Sequence, residues 1–159
     1  MIFFEAFYVT GIKLINMETE NTVKVLIAED DDGHADLIID VLQRSGVKNE
    51  ILRFTDGVDL SAYLDKEGRN SGLVAGKSFL VLFDINMPRM DGVEVLQKMK
   101  ADDELKNIPV IMLTTTDDPR EMDLCYRSGC SVYLTKPIDY QKFEVVLLRL
   151  GLLLQVASV

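Results

Sequence analysis

Residues 78–92 read SFLVLFDINMPRMDG and contain the sharpest transition in the chain. An uninterrupted apolar run, Phe79 to Phe83, follows Ser78 and stops at an acid, Asp84. The run is too short for a helix and reads as a strand buried on both faces. Open α/β sheets place their chemistry at the carboxyl ends of such strands, which is where Asp84 falls. Asn86, Pro88, Asp91 and Gly92 then mark a loop, and VEVLQKMK resumes at helical spacing. Asp84 is therefore the candidate working group, and the next question is what the other strand ends bring to it.

The same pattern recurs on either side. VKVLIA (23–28) is an apolar run ending at Glu29, and the segment after it puts Leu37, Ile38, Val41 and Leu42 on a helical face closed by Gly46. ILRFT (51–55) alternates as a strand, GVDLSAYLDKEG predicts a short helix, and RNSGLVAGKS is a polar, Gly-rich loop. A third helix covers Val93 to Met99, and DDELKNIP connects it to the strand PVIMLT (109–114). A fourth helix from about Asp118 to Arg127, a strand SVYLT (131–135) and a last helix from Tyr140 to about Val156 complete the series. Five strand–helix alternations predict an α/β domain with a parallel sheet covered on both faces. Residues 21–159 are assigned to that domain and residues 1–20 to an N-terminal extension, with Met17 reading as a natural start.

Composition narrows the function. The chain has 159 residues, 48% of them hydrophobic, which suits one domain with a full core. A net charge of −9 argues against a nucleic-acid surface, since phosphate backbones require clustered Lys and Arg. Cys125 and Cys130 form no CxxC pair and have no metal-ligating neighbours in sequence, so they read as reduced thiols of a cytoplasmic protein, Cys130 packing as a small hydrophobe. No membrane span is expected: VVLLRLGLLLQV (145–156) is broken by Arg149, Gly151 and Gln155. At the amino end, Glu5 precedes any positive charge, which makes MIFFEAFYVTGIKLIN a poor signal peptide.

The strand ends carry complementary chemistry. The first ends in Glu29 and Asp30, the third in Asp84 and the fourth in Thr114, and the fifth is followed by Lys136-Pro137. In a parallel sheet these groups share one rim. Three carboxylates there would repel and raise one another's pKa, a conflict that a hard divalent cation removes, and all-oxygen ligands select Mg²⁺ or Mn²⁺. Lys136 and Thr114 add a positive charge and a hydroxyl donor. That set suits a transferring phosphoryl group, with Asp84 as nucleophile forming an aspartyl phosphate.

These residues resemble the response-regulator receiver domains of two-component signalling. The acidic pair matches Glu29 and Asp30 in VLIAEDD, the phosphoacceptor Asp84 in LFDINMPRMDG, the hydroxyl Thr114 in IPVIMLTT and the lysine Lys136 in YLTKP, and the resemblance covers about residues 22 to 155. It implies a flavodoxin-like (βα)5 fold with strand order 2-1-3-4-5. It implies Mg²⁺ held by Asp30, Asp84 and the backbone carbonyl of Asn86, with Glu29 acting partly through water. Lys136 would bind a phosphoryl oxygen, and the Lys136-Pro137 bond would be cis. On phosphorylation Thr114 would swing toward the phosphoryl group and Tyr133 would turn inward behind it, reshaping the surface of the fourth helix, fifth strand and last helix. The donor would be a sensor histidine kinase or a His-phosphotransfer protein. With no output domain after the last helix, the protein would signal by binding a partner or relaying the phosphoryl group. It would catalyse only its own phosphorylation and dephosphorylation and is not expected to be an enzyme with an external product. Thr115, β-branched where the family often has a small residue, is a departure that bears on access to the acceptor.

The same residues also admit blander roles. Asp84 alone would read as a helix-capping loop acid; four matching strand ends outweigh that. Asp31 and Asp32 read as solvated acids favourable to the first helix dipole, and His34 as a solvent-facing residue at that helix start. GLVAGKS is one residue short of a P-loop and precedes its strand, so it is set aside. A haloacid-dehalogenase-type phosphatase would want an acid where Asn86 stands, and a flavin carrier would not place the anionic AEDDD after its first strand. In the last helix Phe143, Val146, Leu147, Leu150, Leu153 and Leu154 form one apolar stripe, and Val145, Leu148, Leu152 and Val156 a second. The second is read as a partner or homodimer surface, with cover by the N-terminal extension as the alternative. The general layout is similar to that of single-domain receivers working with phytochrome-type kinases.

Overall fold

Period-two alternation decides which face each strand residue takes, and in the central strand both faces are apolar. The structure is a computed structural model describing residues 23–69, 78–136, 139, 141, 142 and 145. Its elements are β1 (Val23–Ala28), α1 (Asp32–Arg44), β2 (Ile51–Phe54), α2 (Gly57–Tyr63), β3 (Ser78–Asp84), α3 (Gly92–Lys100), β4 (Val110–Thr114), α4 (Pro119–Arg127) and β5 (Val132–Thr135). All strand pairs are parallel, in the order β2-β1-β3-β4-β5, as the flavodoxin-like expectation required. Limits of the described elements fall within a residue or two of the sequence-based ones, with one difference. The helix expected across GVDLSAYLDKEG closes as an α-helix at Tyr63 and widens into a π turn over Leu64–Gly68.

The sheet is packed on both sides. Phe79, Val81 and Phe83 of β3 join α2, α3 and α4 through Leu60, Leu64, Val95, Leu96, Met99 and Cys125. Leu80 and Leu82 point the other way, onto Ile38, Val41 and Leu42 of α1. Each large apolar side chain buried this way contributes about 1.5–3 kcal/mol. Tyr63 adds aromatic contacts, its ring 5.2 Å from Phe54 and 6.3 Å from Phe79. Cys125 and Cys130 are buried free thiols, pushed up by burial to about 11 and about 12, so neither is a reactive thiolate at neutral pH.

Register brings the functional strand ends level. Ala28 pairs with Phe83 and Asp84 with Leu113, so Glu29, Asp84 and Thr114 emerge at one rim. The helices leave that same rim behind aspartate N-caps. Asp31, Asp56, Asp91 and Asp118 accept from the backbone N–H of His34, Asp59, Glu94 and Arg120 at 2.8–2.9 Å. Such caps are worth about 0.5–2 kcal/mol each. Among the described residues no helix is long and apolar enough to cross a membrane. The N-terminal extension, the loop at 70–77, the Lys136-Pro137 bond and, apart from residues 141, 142 and 145, the last helix with its two stripes lie outside the described residues.

Candidate functional site

Lys136 is the hub of the rim. Its side chain is only 6% exposed, and its Nζ donates to Asp84 Oδ2 at 2.8 Å and to Glu29 Oε2. Glu29 is fully buried and Asp84 nearly so, whereas Asp30 faces solvent. Burial pushes the Glu29 carboxyl up, against the opposing pull of Lys136 and of the Asp31 N–H. Burial alone would push Lys136 down, but its bonds to Asp84 and Glu29 outweigh it and hold the ammonium above the usual lysine range. One lysine faces three carboxylates. Glu29, Asp30 and Asp84 offer ligand oxygens all within 4.8 Å of one another. A hard divalent cation fits that donor set: every ligand is oxygen, the charge excess is negative, and exposed Asp30 leaves an entry from solvent.

Loops hold these groups by backbone bonds. Asp84 Oδ1 accepts from the Asn86 N–H at 3.1 Å, and Glu29 Oε1 from the Asp31 N–H at 3.1 Å. Arg53 donates through Nε and Nη2 to the Glu29 carbonyl and through Nη1 to Asp32, tying β2 to the start of α1. Arg89 sits at φ 70°, a costly conformation for a residue with a Cβ, and its guanidinium pairs with Asp56 at 2.8 Å. That pair fastens the loop after Asp84 to the head of α2.

Gly92 is required by close approach. Its N–H donates to the Ile85 carbonyl, and a Cβ there would lie 2.5 Å from the Asp84 carbonyl oxygen and 2.9 Å from Ile85 Cα. Backbone cannot step aside as a side-chain tip can. Gly92→Ala is expected to cost about 1–3 kcal/mol or more, read as a lower urea midpoint at unchanged slope. A midpoint equal to wild type would mean the loop yields freely.

Thr114 is fully buried at the end of β4, and its hydroxyl donates to Glu121 Oε1 at 3.1 Å while accepting from the Thr116 N–H at 3.2 Å. Tyr133 already lies inward at 7% exposure, its hydroxyl 3.0 Å from the Thr116 carbonyl and 3.4 Å from Glu121 Oε1. Burial, with the Glu121 charge, pushes Tyr133 up to about 12.

The structure thus gathers Glu29, Asp30, Asp84 and Lys136 into one cluster, with Asn86 bonded to it through its N–H and Thr114 and Tyr133 joined through Glu121. Asp31 and Asp32 are solvent-exposed at the helix start, as read from sequence; the structure adds that Asp31 caps the helix and Asp32 pairs with Arg53. His34 is at the helix start and solvent-exposed as expected, and its ring also reaches the rim, with Nδ1 3.2 Å from Lys136 Nζ. An ammonium has no acceptor, so Nδ1 takes the hydrogen bond.

The fold and this rim define a class: the chain belongs to the response regulator receiver domain family, which matches residues 25–147 and serves two-component signalling. Among solved structures it is similar to a response regulator receiver domain from Rhodospirillum rubrum, at 44% identity and TM-score 0.67 over 84% of this chain and 96% of that one. It is similar to the Mn²⁺-bound form of response regulator Rcp1, at 30% identity and TM-score 0.62 over 77% and 87%. It is also similar to the phosphorylated cyanobacterial phytochrome response regulator RcpA, at 31% identity and TM-score 0.64 over 79% and 88%.

Proposed function

We propose that this chain accepts a phosphoryl group on Asp84 from a sensor histidine kinase or a His-phosphotransfer protein in a Mg²⁺-dependent reaction. The observation that carries this is Lys136 Nζ bonded to Asp84 Oδ2 beside the Glu29–Asp30–Asp84 cluster. An Asp84 carboxylate oxygen forms the new O–P bond as the donor's P–N bond breaks, and the electron pair leaves with the imidazole. Lys136 follows the charge onto a phosphoryl oxygen. Thr114 turns its hydroxyl to another, leaving Glu121, and Tyr133 repacks behind it. Asp30, Asp84 and the Asn86 carbonyl would hold Mg²⁺, with Glu29 through water; when bound, the ion neutralises charge on the phosphoryl oxygens. The likeness to a Mn²⁺-bound and to a phosphorylated receiver supports this reading.

The readout surface in this proposal is α4, β5 and the last helix, which would bind a partner in the cytoplasm, pass the phosphoryl group on, or join two copies of the chain. Kinship with phytochrome response regulators suggests a phytochrome-type kinase as donor. Acetyl phosphate with Mg²⁺ tests the chemistry: one hydroxylamine-labile phosphoryl group should map to the peptide containing Asp84. An adduct on any other peptide, or none, overturns it.

Metal binding makes a separate prediction. Mg²⁺ at about a hundredfold excess over its Kd should stabilise the fold by about 2.7 kcal/mol. For a chain of this size that raises Tm by roughly 5–10 °C. Asp30→Asn should lose most of the shift. A shift matched by NaCl at equal ionic strength would rule out a specific site.

A further inference from the structure

Asp118 and Glu121 have the spacing of a capping box, in which the second acid reaches back to the N–H of the first. The structure uses them otherwise. The Asp118 N–H is taken by Thr116 Oγ1 at 3.1 Å. Glu121 Oε1 instead receives the Thr114 hydroxyl at 3.1 Å and lies 3.4 Å from the Tyr133 hydroxyl. A first-turn helix acid is thereby spent on two strand residues.

We propose that Glu121 is a positioning residue that holds Thr114 off the phosphoryl site and couples its release to Tyr133. This rests on the phosphoacceptor reading above. A threonine hydroxyl carries one proton. While that proton is on Glu121, Thr114 cannot donate to a phosphoryl oxygen, so the Glu121 bond must break before the new one forms. The departure leaves a carboxylate oxygen short of a donor. Tyr133, whose hydroxyl is divided between the Thr116 carbonyl and Glu121, is the group placed to supply one. One oxygen thus serves as the exchange point between the two side chains. Its effect on the phosphorylated state is opposite in sign to that of Lys136: Glu121 favours the unphosphorylated arrangement.

Beryllofluoride with Mg²⁺ serves as the phosphoryl mimic, its affinity measured by fluorine NMR on the full chain. Glu121→Ala should tighten binding about tenfold, at the low end of what one hydrogen bond to a charged group is worth. Glu121→Gln keeps an acceptor oxygen without the charge and should tighten it about threefold; it also serves if the alanine variant folds poorly. In a Thr114→Ala background the Glu121 substitutions should change nothing, an outcome that a merely structural glutamate would not produce. Unchanged or weaker binding by both Glu121 variants, while wild type binds and Asp84→Asn does not, overturns the latch alone. Equal tightening with and without Thr114 also overturns it. Wild type failing to bind beryllofluoride overturns the phosphoacceptor reading itself, and the latch with it.

Discussion

Asp84→Asn should reduce Mg²⁺-dependent phosphoryl incorporation from acetyl phosphate to background while the protein stays folded. The reason is electronic rather than steric. Asn has nearly the volume of Asp, but its amide oxygen is a poor nucleophile and cannot give an acyl phosphate. The structural effects oppose each other. Asp84 now accepts two bonds, from the Asn86 N–H and from Lys136, and an amide has one acceptor oxygen for them. Against that, the variant removes one of three negative charges crowded within 4.8 Å. Net stability should therefore move little, and thermal melting serves as the control. A variant that incorporated the group as well as wild type would exclude Asp84 as acceptor.

Lys136→Met should be the most destabilising single change at the rim. Lys136 Nζ is the shared partner of Glu29 and Asp84, and its removal strands two buried carboxylates. Breaking such a pair typically costs about 3–5 kcal/mol. At this chain length that lowers Tm by roughly 10 °C in chelator-treated buffer. The loss should depend on pH in a defined direction. Glu29 is already raised in the folded state by burial, and Lys136 is the strongest of the groups pulling it back. Without the lysine its folded pKa rises further. A raised carboxyl is fully tolerated below its unfolded pKa, and stability drains away as pH climbs toward the folded one. The gap between wild type and variant should thus be smallest near pH 4, below the ordinary Glu value of 4.5, and widen toward neutrality. Phosphoryl acceptance should fall by about 10²–10³, the scale seen when one preorganised charge is removed from a transition state. A pH-independent gap would mean that Lys136 acts by packing alone.

Much of this was legible before any coordinates. The apolar runs at 23–28, 79–83 and 109–113 each stop at a polar residue because water begins at the strand end, so the break in the pattern marks the rim. Asp84, Glu29 and Thr114 could be read off it directly; that Asp31, Asp91 and Asp118 serve as helix caps came from the structure. What could not be read was side-chain direction. Glu121 carried no signal in the sequence and is the acceptor for the Thr114 hydroxyl. His34 is solvent-exposed as read, but its contact with Lys136, 102 positions away in the chain, had no signal.

By itself, then, the order of residues determined the five alternations, the strand order through its family likeness, and the set of groups that meet at the rim. Those are consequences of hydrophobic period and of parallel strands all ending on one side. Only the tertiary structure decided which oxygen faces which proton: that Lys136 bridges Glu29 and Asp84, that Gly92 must be bare beside the Asp84 carbonyl, and that the Thr114 hydroxyl is held by α4. Such choices depend on rotamers and on strand-to-helix distances of a few ångströms, and no local pattern in a chain encodes them.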